Sequence, residues 1–264
     1  MKPSVLITGA GGGMGRASAI ALRDRGYTVF ALDKQAIEPQ EGIIPLVADV
    51  TDEQSLRAAM EQVAALCPSL TAIVHFAGIY LRHSLVEMDR QDFERIVKVN
   101  LGGAFLVNKT FLPLLGEGSR ILIITSELAV TDPLPFTGIY AVTKGALDRY
   151  AYSLRMELQL KGISVSVLRA GAVATDMLDV STAALDRFCR ETTLYSCNAA
   201  RFKRIVEGVE ARQIPPERLA HKVCAILGKK RPAFAYAVNR NPLLLLLDAL
   251  PKRWQLAIIA RILR

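Results

Sequence analysis

The stretch Ser4-Val5-Leu6-Ile7-Thr8-Gly9-Ala10-Gly11-Gly12-Gly13-Met14-Gly15 decides the fold. Its apolar opening reads as a buried strand, because a parallel strand covered on both faces has no polar side to alternate with. Glycine then crowds a short turn, and Arg16 to Arg25 carries a helical pattern. Strand, glycine turn and helix start together make a phosphate site. The first amides of a helix are unpaired, the dipole is positive there, and missing side chains let a pyrophosphate approach. Gly9 lets the chain turn, Gly13 leaves room for the diphosphate, and Gly15 lets the helix pack on the strand. Asp33 closes the next apolar run, Thr28-Val29-Phe30-Ala31-Leu32, 18 residues after Gly15. That interval suits a carboxylate that binds the hydroxyls of an adenosine ribose.

Outward from this stretch, apolar runs recur at Ile44–Val47, Ala72–His75, Arg120–Thr125, Ser164–Arg169 and Ala233–Ala237. Helix-length segments lie between most of them: Asp52 to Leu66, Asp89 to Leu115 with a break near Asn100, and Gly138 to Leu160. Strand alternating with helix predicts an α/β fold with a doubly wound parallel sheet, whose ligands gather at the carboxyl ends of the strands. Beyond Ala170 the alternation lapses. Thr175 to Arg212 is mixed in polarity and helical in places (STAALDRFCR, ARFKRIVEGVEAR), and Pro215-Pro216-Glu217 opens a helix closed by Gly228. We read residues 1–240 as one Rossmann-like domain with a helical substrate lid over about 175–228, and 241–264 as a helical tail. An added helical layer is the alternative to the lid.

Hydrophobic residues make up 51% of the 264, enough for a core covered on both faces. Cys67, Cys189, Cys197 and Cys224 have neither CxxC spacing nor a histidine partner nearby, so they read as reduced packing residues, with no metal site. The N-terminus enters a strand at once, which leaves no room for a signal peptide and points to a cytoplasmic setting. Net charge is +8, and residues from Lys229 onward carry seven of it, eight cations against Asp248 alone. A nearly neutral body without aromatics interleaved among its basic residues gives no support to nucleic-acid binding.

Tyr140 and Lys144 stand one helical turn apart in Tyr-Ala-Val-Thr-Lys, so both side chains leave the same face. A neighbouring ammonium favours the phenolate and makes the phenol a better base. Ser126 ends the run Ile-Leu-Ile-Ile-Thr-Ser, 14 residues before Tyr140, where its hydroxyl can hold a substrate oxygen.

Taken in order, Thr8 to Gly15, Asp33, Asp49-Val50, Asn100, Ser126, Tyr140 and Lys144 fall at the intervals of the short-chain dehydrogenase/reductase pattern. The chain resembles that family from about Pro3 to Ala237. The resemblance implies a catalytic tetrad: Tyr140 as acid/base, Ser126 orienting the substrate oxygen, Lys144 lowering the tyrosine's pKa and binding the nicotinamide ribose, and Asn100 holding a relay water. It also implies cofactor contacts from Gly9, Gly13, Met14 and Gly15, from Asp49 and Val50 at the adenine, from Ala77 and Gly78, and from Thr175 at the nicotinamide amide. Two positions depart from the pattern. Phe76 stands where the family commonly has a sheet-bracing asparagine, and Ala170-Gly171 replaces Pro-Gly, which implies a looser nicotinamide end.

A carboxylate at Asp33 accepts from a free ribose diol and repels a 2′-phosphate, so NAD is expected rather than NADP. Lys34 is the contrary sign, read here as a solvated charge. Pro242 and Pro251 each fit a first helical position, which predicts two short helices in the tail. Trp254, Ile258, Ile259, Ile262 and Leu263 fall on one side of the second, most of its cations on the other, and Gln255 interrupts the apolar face. Such a tail either lies on a membrane surface or packs on the body or a second subunit over the substrate cleft. It is similar to the tails of steroid and retinol dehydrogenases of the family.

The sequence thus reads as an NAD-dependent oxidoreductase that interconverts a secondary alcohol and a ketone on a lipophilic, steroid- or bile-acid-like substrate, as a homodimer or homotetramer. An NADPH-dependent 3-oxoacyl reductase is the enzymatic alternative, and a cofactor-sensing protein without activity the non-enzymatic one.

Overall fold

The computed structural model describes residues 2–210 and 212–264, and the side chains of all of these except 176–181 and 207–210. Ala211, inside the second helical stretch expected after Thr175, lies outside the described residues. Seven strands form one parallel sheet: β1 (Ser4–Thr8), β2 (Thr28–Asp33), β3 (Ile43–Val47), β4 (Leu70–His75), β5 (Leu115–Ser126), β6 (Ser164–Ala170) and β7 (Ala235–Val238). Their spatial order is β3-β2-β1-β4-β5-β6-β7, so the winding reverses between β1 and β4. Such a reversal opens a crevice at the carboxyl ends of the strands.

Successive residues of one strand point to opposite faces, and both faces are dry. Val5 and Ile7 join a cluster with Leu22 of α1 (Gly13–Arg23) and Val223 of α8 (Pro216–Leu227). Leu6 packs the other way, with Leu56 and Val63 of α2 (Glu53–Leu66) and with Val107 and Phe111 of α4 (Gly103–Phe111). On that same side α5 (Gly138–Leu158) places Leu147 and Ala151 on Ile121 and Ile123 of β5. Each fully buried aliphatic side chain contributes about 1.5–3 kcal/mol, so this double cover is the main source of cohesion.

Boundaries move at a few places. The first helix starts at Gly13, three residues before the periodic pattern, because glycines with no apolar side chain carry its first turn. The break expected near Asn100 is a π turn, Lys98–Gly102, between α3 (Arg90–Val97) and α4; the chain bends without leaving the helix. Leu115, assigned by its apolar pattern to a helix, opens β5 opposite Leu70 with a register shift behind it. Beyond β6 come α6 (Asp176–Glu191), α7 (Ser196–Glu210) and α8, and the chain ends in α9 (Pro242–Asp248) and α10 (Lys252–Leu263). Pro242 is the first helical residue of α9 as predicted, whereas Pro251 sits one place outside α10, as its N-cap.

A satellite core joins α6 and α7 to the tail. Leu185, Phe188, Ala199, Phe202 and Leu263 are buried together, with Phe136 and Ile259 against them. Phe136 holds a left-handed φ of 63° while its ring meets those of Phe188, Tyr195 and Phe202. The cysteine expectation is corrected at one position: Cys224 is buried, but Cys197 is exposed on α7 and fills no core space.

Candidate active site

The candidate residues collect at the carboxyl edge of the sheet. Gly9 follows β1 with a φ of +68°, and an added Cβ there would meet the Ala77 nitrogen at 2.6 Å, so only glycine fits between β1 and β4. At Gly15 a Cβ would lie 2.1 Å from the Gly9 carbonyl oxygen, which is how closely α1 rides on the turn. At Gly13 it would come within 2.8 Å of Thr175 Cγ2. Gly13 and Thr175, 162 positions apart in the chain, therefore pack directly together, and a side chain at Gly13 would collide with Thr175.

Asp33 ends β2 with one carboxylate oxygen accepting from the Gly11 amide at 2.9 Å and the other from Gln35 at 3.1 Å. It thus stands at the lip of the glycine turn. Lys34 swings away and pairs with Asp49 at 3.0 Å, so it is an exposed cation with a partner rather than a bare solvated one. Asp49 also accepts from the Thr51 amide and hydroxyl. These bonds and Lys34 hold its carboxyl below the ordinary range, against the opposing effect of burial. Val50 closes the neighbouring wall, where a Cβ on Gly103 would meet its Cγ2 at 2.8 Å.

Tyr140, Lys144, Ser126 and Asn100 come together around Gly78. Ser126 ends β5, lines the same cavity as Tyr140, and pulls the phenol's pKa downward. Lys144 lies one turn along α5, its Nζ 5.8 Å from the centre of the Tyr140 ring and donating to the Ile124 carbonyl at 3.2 Å. Burial lowers that ammonium to about 8. Asn100, in the π turn, accepts from the Ile79 amide at 2.8 Å and donates to the Ile79 carbonyl and to Thr143 Oγ1. Its amide protons are both spent, leaving one lone pair on Oδ1. A Cβ at Gly78 would sit 3.2 Å from that Oδ1 and 3.5 Å from Lys144 Nζ, so both polar atoms face the space that the glycine leaves.

Burial raises the Tyr140 phenol well above its ordinary value, Tyr80 adds to the rise, and the pull downward comes from Ser126 and Arg82. Arg82 thus joins Lys144, whose Nζ lies over the same ring, as a second cation beside the phenol.

Both departures from the family pattern have local answers. The main chain of Phe76 bonds the Thr8 carbonyl, and the next amide bonds the Thr8 hydroxyl, so Thr8 braces the end of β4. The Ala170-Gly171 turn is tied rather than loose. Gly171 donates to the Val238 carbonyl, and Asn239, at φ 53°, donates from its side chain to the carbonyls of Ala172 and Arg212. A Cβ at Gly171 would strike the Asn239 carbonyl oxygen at 1.8 Å.

A cavity of about 530 Å³ runs from Ser126, Tyr140 and Lys144 to an apolar end made by Leu244, Leu247 and Ile259 of the tail. The tail is fastened over it. Glu127 accepts from the Asn241 amide at 2.6 Å, Asp248 from the Asp132 amide at 2.9 Å, and Lys252 pairs with Asp132. Gln255, which interrupts the apolar face in the sequence, is buried and donates to the Asp248 and Leu250 carbonyls, closing the corner between the two helices. Tyr80 and Arg82 are cavity residues that sequence patterns did not single out, whereas the tail over the cleft was one of the two readings of its pattern.

A glycine turn at a β1/β4 reversal, an acid ending β2 and a Tyr/Lys pair beside a serine define a dinucleotide-dependent oxidoreductase class of site. The model of the short chain dehydrogenase family matches residues 3–186, and the chain belongs to that family, whose members use a nicotinamide cofactor. It is 27% identical over 256 residues to a 3-ketodihydrosphingosine reductase of Bacteroides thetaiotaomicron, covering 96% of this chain and 94% of that one. It is 32% identical over 190 residues to estradiol 17-beta-dehydrogenase 2 of Mus musculus, covering 67% of this chain and 49% of that protein. The 3-ketoacyl-(acyl-carrier-protein) reductase of Brucella melitensis, solved in complex with NADH, has the same fold, with a TM-score of 0.73 at 22% identity over 89% of this chain and 96% of that one.

Proposed function

We propose that the protein is an NAD-dependent oxidoreductase that interconverts a secondary alcohol and a ketone on a lipophilic substrate. The observation that carries this reading is the single cavity with Ser126, Tyr140 and Lys144 at one end and aliphatic side chains of the tail at the other. Such a cavity sets a carbinol against the acid/base group and buries a hydrocarbon body, as ligand sites with few polar groups do.

Gly9, Gly13, Met14, Gly15, Asp33, Asp49, Val50, Ala77, Gly78, Lys144 and Thr175 would hold the dinucleotide, which supplies the site with a hydride acceptor or donor. Ser126 orients the substrate oxygen, and Tyr140 takes its proton in oxidation or returns it in reduction. A water in the space at Gly78, between Asn100 Oδ1 and Lys144 Nζ, would pass that proton onward. Asp33 accepts from a ribose diol and repels a 2′-phosphate, and Lys34 is engaged by Asp49. This favours NAD.

A steroid- or bile-acid-like body is one fit for the cavity. A long-chain 3-oxo lipid is the second, favoured by the relative named for 3-ketodihydrosphingosine, which aligns over nearly the whole chain. A peripheral membrane contact through the tail and a homo-oligomer complete the reading. Phe105, Val142, Tyr152 and Met156 are exposed on α4 and α5, an apolar face that a second copy would cover. The test is a panel of steroid, sphingoid and acyl alcohols and ketones assayed with NAD and NADP in parallel. Turnover confined to small hydrophilic alcohols, or a preference for NADP, would overturn the proposal.

A further inference from the structure

Beside Tyr140 lie a half-buried tyrosine and a buried arginine that the proton transfer derived above does not use. Tyr80 stacks on the Tyr140 ring, with centroids 4.1 Å apart and planes tilted by 53°. Arg82 is only 4% exposed. It donates from Nε to the Tyr80 hydroxyl at 3.1 Å and holds its guanidinium carbon 4.9 Å from the Tyr80 ring centre. Both residues line the cavity together with Ser126, Tyr140 and Lys144.

We propose that Arg82, acting through Tyr80, is a positioning residue for the Tyr140 phenol, holding its ring in place and steadying negative charge on its oxygen during proton transfer. The proposal rests on reading Tyr140 as the acid/base group. Its physical basis is the permanence of the guanidinium charge. Burial lowers a lysine such as Lys144, whereas an arginine stays charged throughout. Charge in a site this dry acts over a longer range than at the surface.

Among the described residues, the other groups that line the cavity with Tyr140 do not supply a fixed cation. Ser126 is neutral, and the nearby Glu127 is a carboxyl pushed up by burial. Phe202 and Val206 of α7 and Leu247 of α9 are apolar. Lys144 is the remaining charge, on the same helix as Tyr140.

The test compares Arg82→Met, Arg82→Lys and Tyr80→Phe with Tyr140→Phe. Two readouts are taken: the pH profile of kcat for alcohol oxidation, and the NMR shift of the Tyr140 ζ carbon, assigned by its loss in Tyr140→Phe. In Arg82→Met the acid limb, on which the phenol must lose its proton, should move up by about one pH unit, a tenfold loss of kcat on that limb with KM nearly unchanged. Arg82→Lys should recover part of the shift. Tyr80→Phe keeps the ring and the guanidinium but removes the hydroxyl that takes the Arg82 bond; that hydroxyl itself raises Tyr140, so this variant reads ring placement, as a changed ζ-carbon shift with a smaller movement of the limb. A partial shift in Arg82→Lys decides the question if Arg82→Met does not fold. An unmoved pH limb and unmoved ζ-carbon shift in Tyr80→Phe and in folded Arg82→Met, with Tyr140→Phe inactive, would overturn the proposal. An active Tyr140→Phe would instead bring down the acid/base reading on which it rests.

Discussion

Burial holds the Tyr140 proton tightly, and Ser126 and Arg82 pull the other way. A group so placed exchanges its proton only with an atom brought directly against it, which is what an acid/base residue in a closed site requires. Tyr140→Phe keeps the ring and its stacking on Tyr80 but has no proton to exchange. Turnover should fall by about 10²–10⁴-fold, while NAD binding measured by calorimetry stays within a few-fold. Retention of more than about a hundredth of kcat would contradict the assignment. Asp33 gives a second prediction at this scale. Asp33→Ala removes the acceptor of the Gly11 amide as well as the charge, so NAD should bind more weakly and NADP less poorly. Parallel kcat/KM measurements check this, and a wild type already faster with NADP would refute the electrostatic argument. Residues of this kind were legible because their spacing is local: a turn, a strand end, one helical turn. Tyr80 and Arg82 were not, since two residues in an irregular loop form no periodic pattern and their meeting with Tyr140 bridges about sixty positions of chain.

Strand β4 and helices α4 and α5 are joined by a buried polar chain. His75 Nε2 lies 2.8 Å from Asn108 Oδ1, and Asn108 Nδ2 donates to the Tyr150 hydroxyl at 3.1 Å. Burial lowers His75 to about 4, while the bond to Asn108 resists the fall. Unfolded, the ring titrates near its ordinary 6.5, so the unfolded state binds a proton over a range in which the native state does not. Stability from this residue is therefore complete above about pH 6.5 and is lost as pH falls from there toward about 4. The whole span is worth about 3 kcal/mol as an order of magnitude. Melting curves from about pH 7 to about pH 4.5 should show this slope, and His75→Gln should flatten it. An equal slope in both proteins would assign the acid sensitivity elsewhere. The helix and strand order was readable from apolar periodicity, but this chain was not, because a histidine at a strand end gives no sign of which helix will meet it. The π turn at Asn100 escaped for a similar reason: its side chain bonds Ile79, 21 residues back, and no helical period encodes that.

At the scale of the molecule, the tail serves the cavity and also faces outward. Its inner side chains close the apolar end, and its anchors reach residues more than a hundred positions away, Asp248 to Asp132 and Asn241 to Glu127. Those distances are why the sequence left open whether it covers the cleft or meets a membrane. Outward, Trp254 and Leu256 are exposed beside Lys252, Arg253, Arg261 and Arg264, while Leu243, Leu246 and Ile262, exposed as well, line the cavity. Among the described residues no helix is long and apolar enough to cross a membrane. An interfacial helix needs only such an apolar side edged by cations, each adding about 1 kcal/mol near anionic headgroups. The two roles can be separated by substitution. Trp254 is exposed and does not line the cavity, so Trp254→Glu should reduce flotation with anionic vesicles and leave turnover of a soluble alcohol intact. Deleting residues 241–264 removes the roof too, so it should also lower turnover of lipophilic substrates. Vesicle binding by the full chain should fall with salt, since the screening length shortens to about 3 Å near molar salt. A full chain that ignores anionic vesicles at low salt would leave the tail as a roof alone, and its exposed leucines would then belong to a contact between subunits.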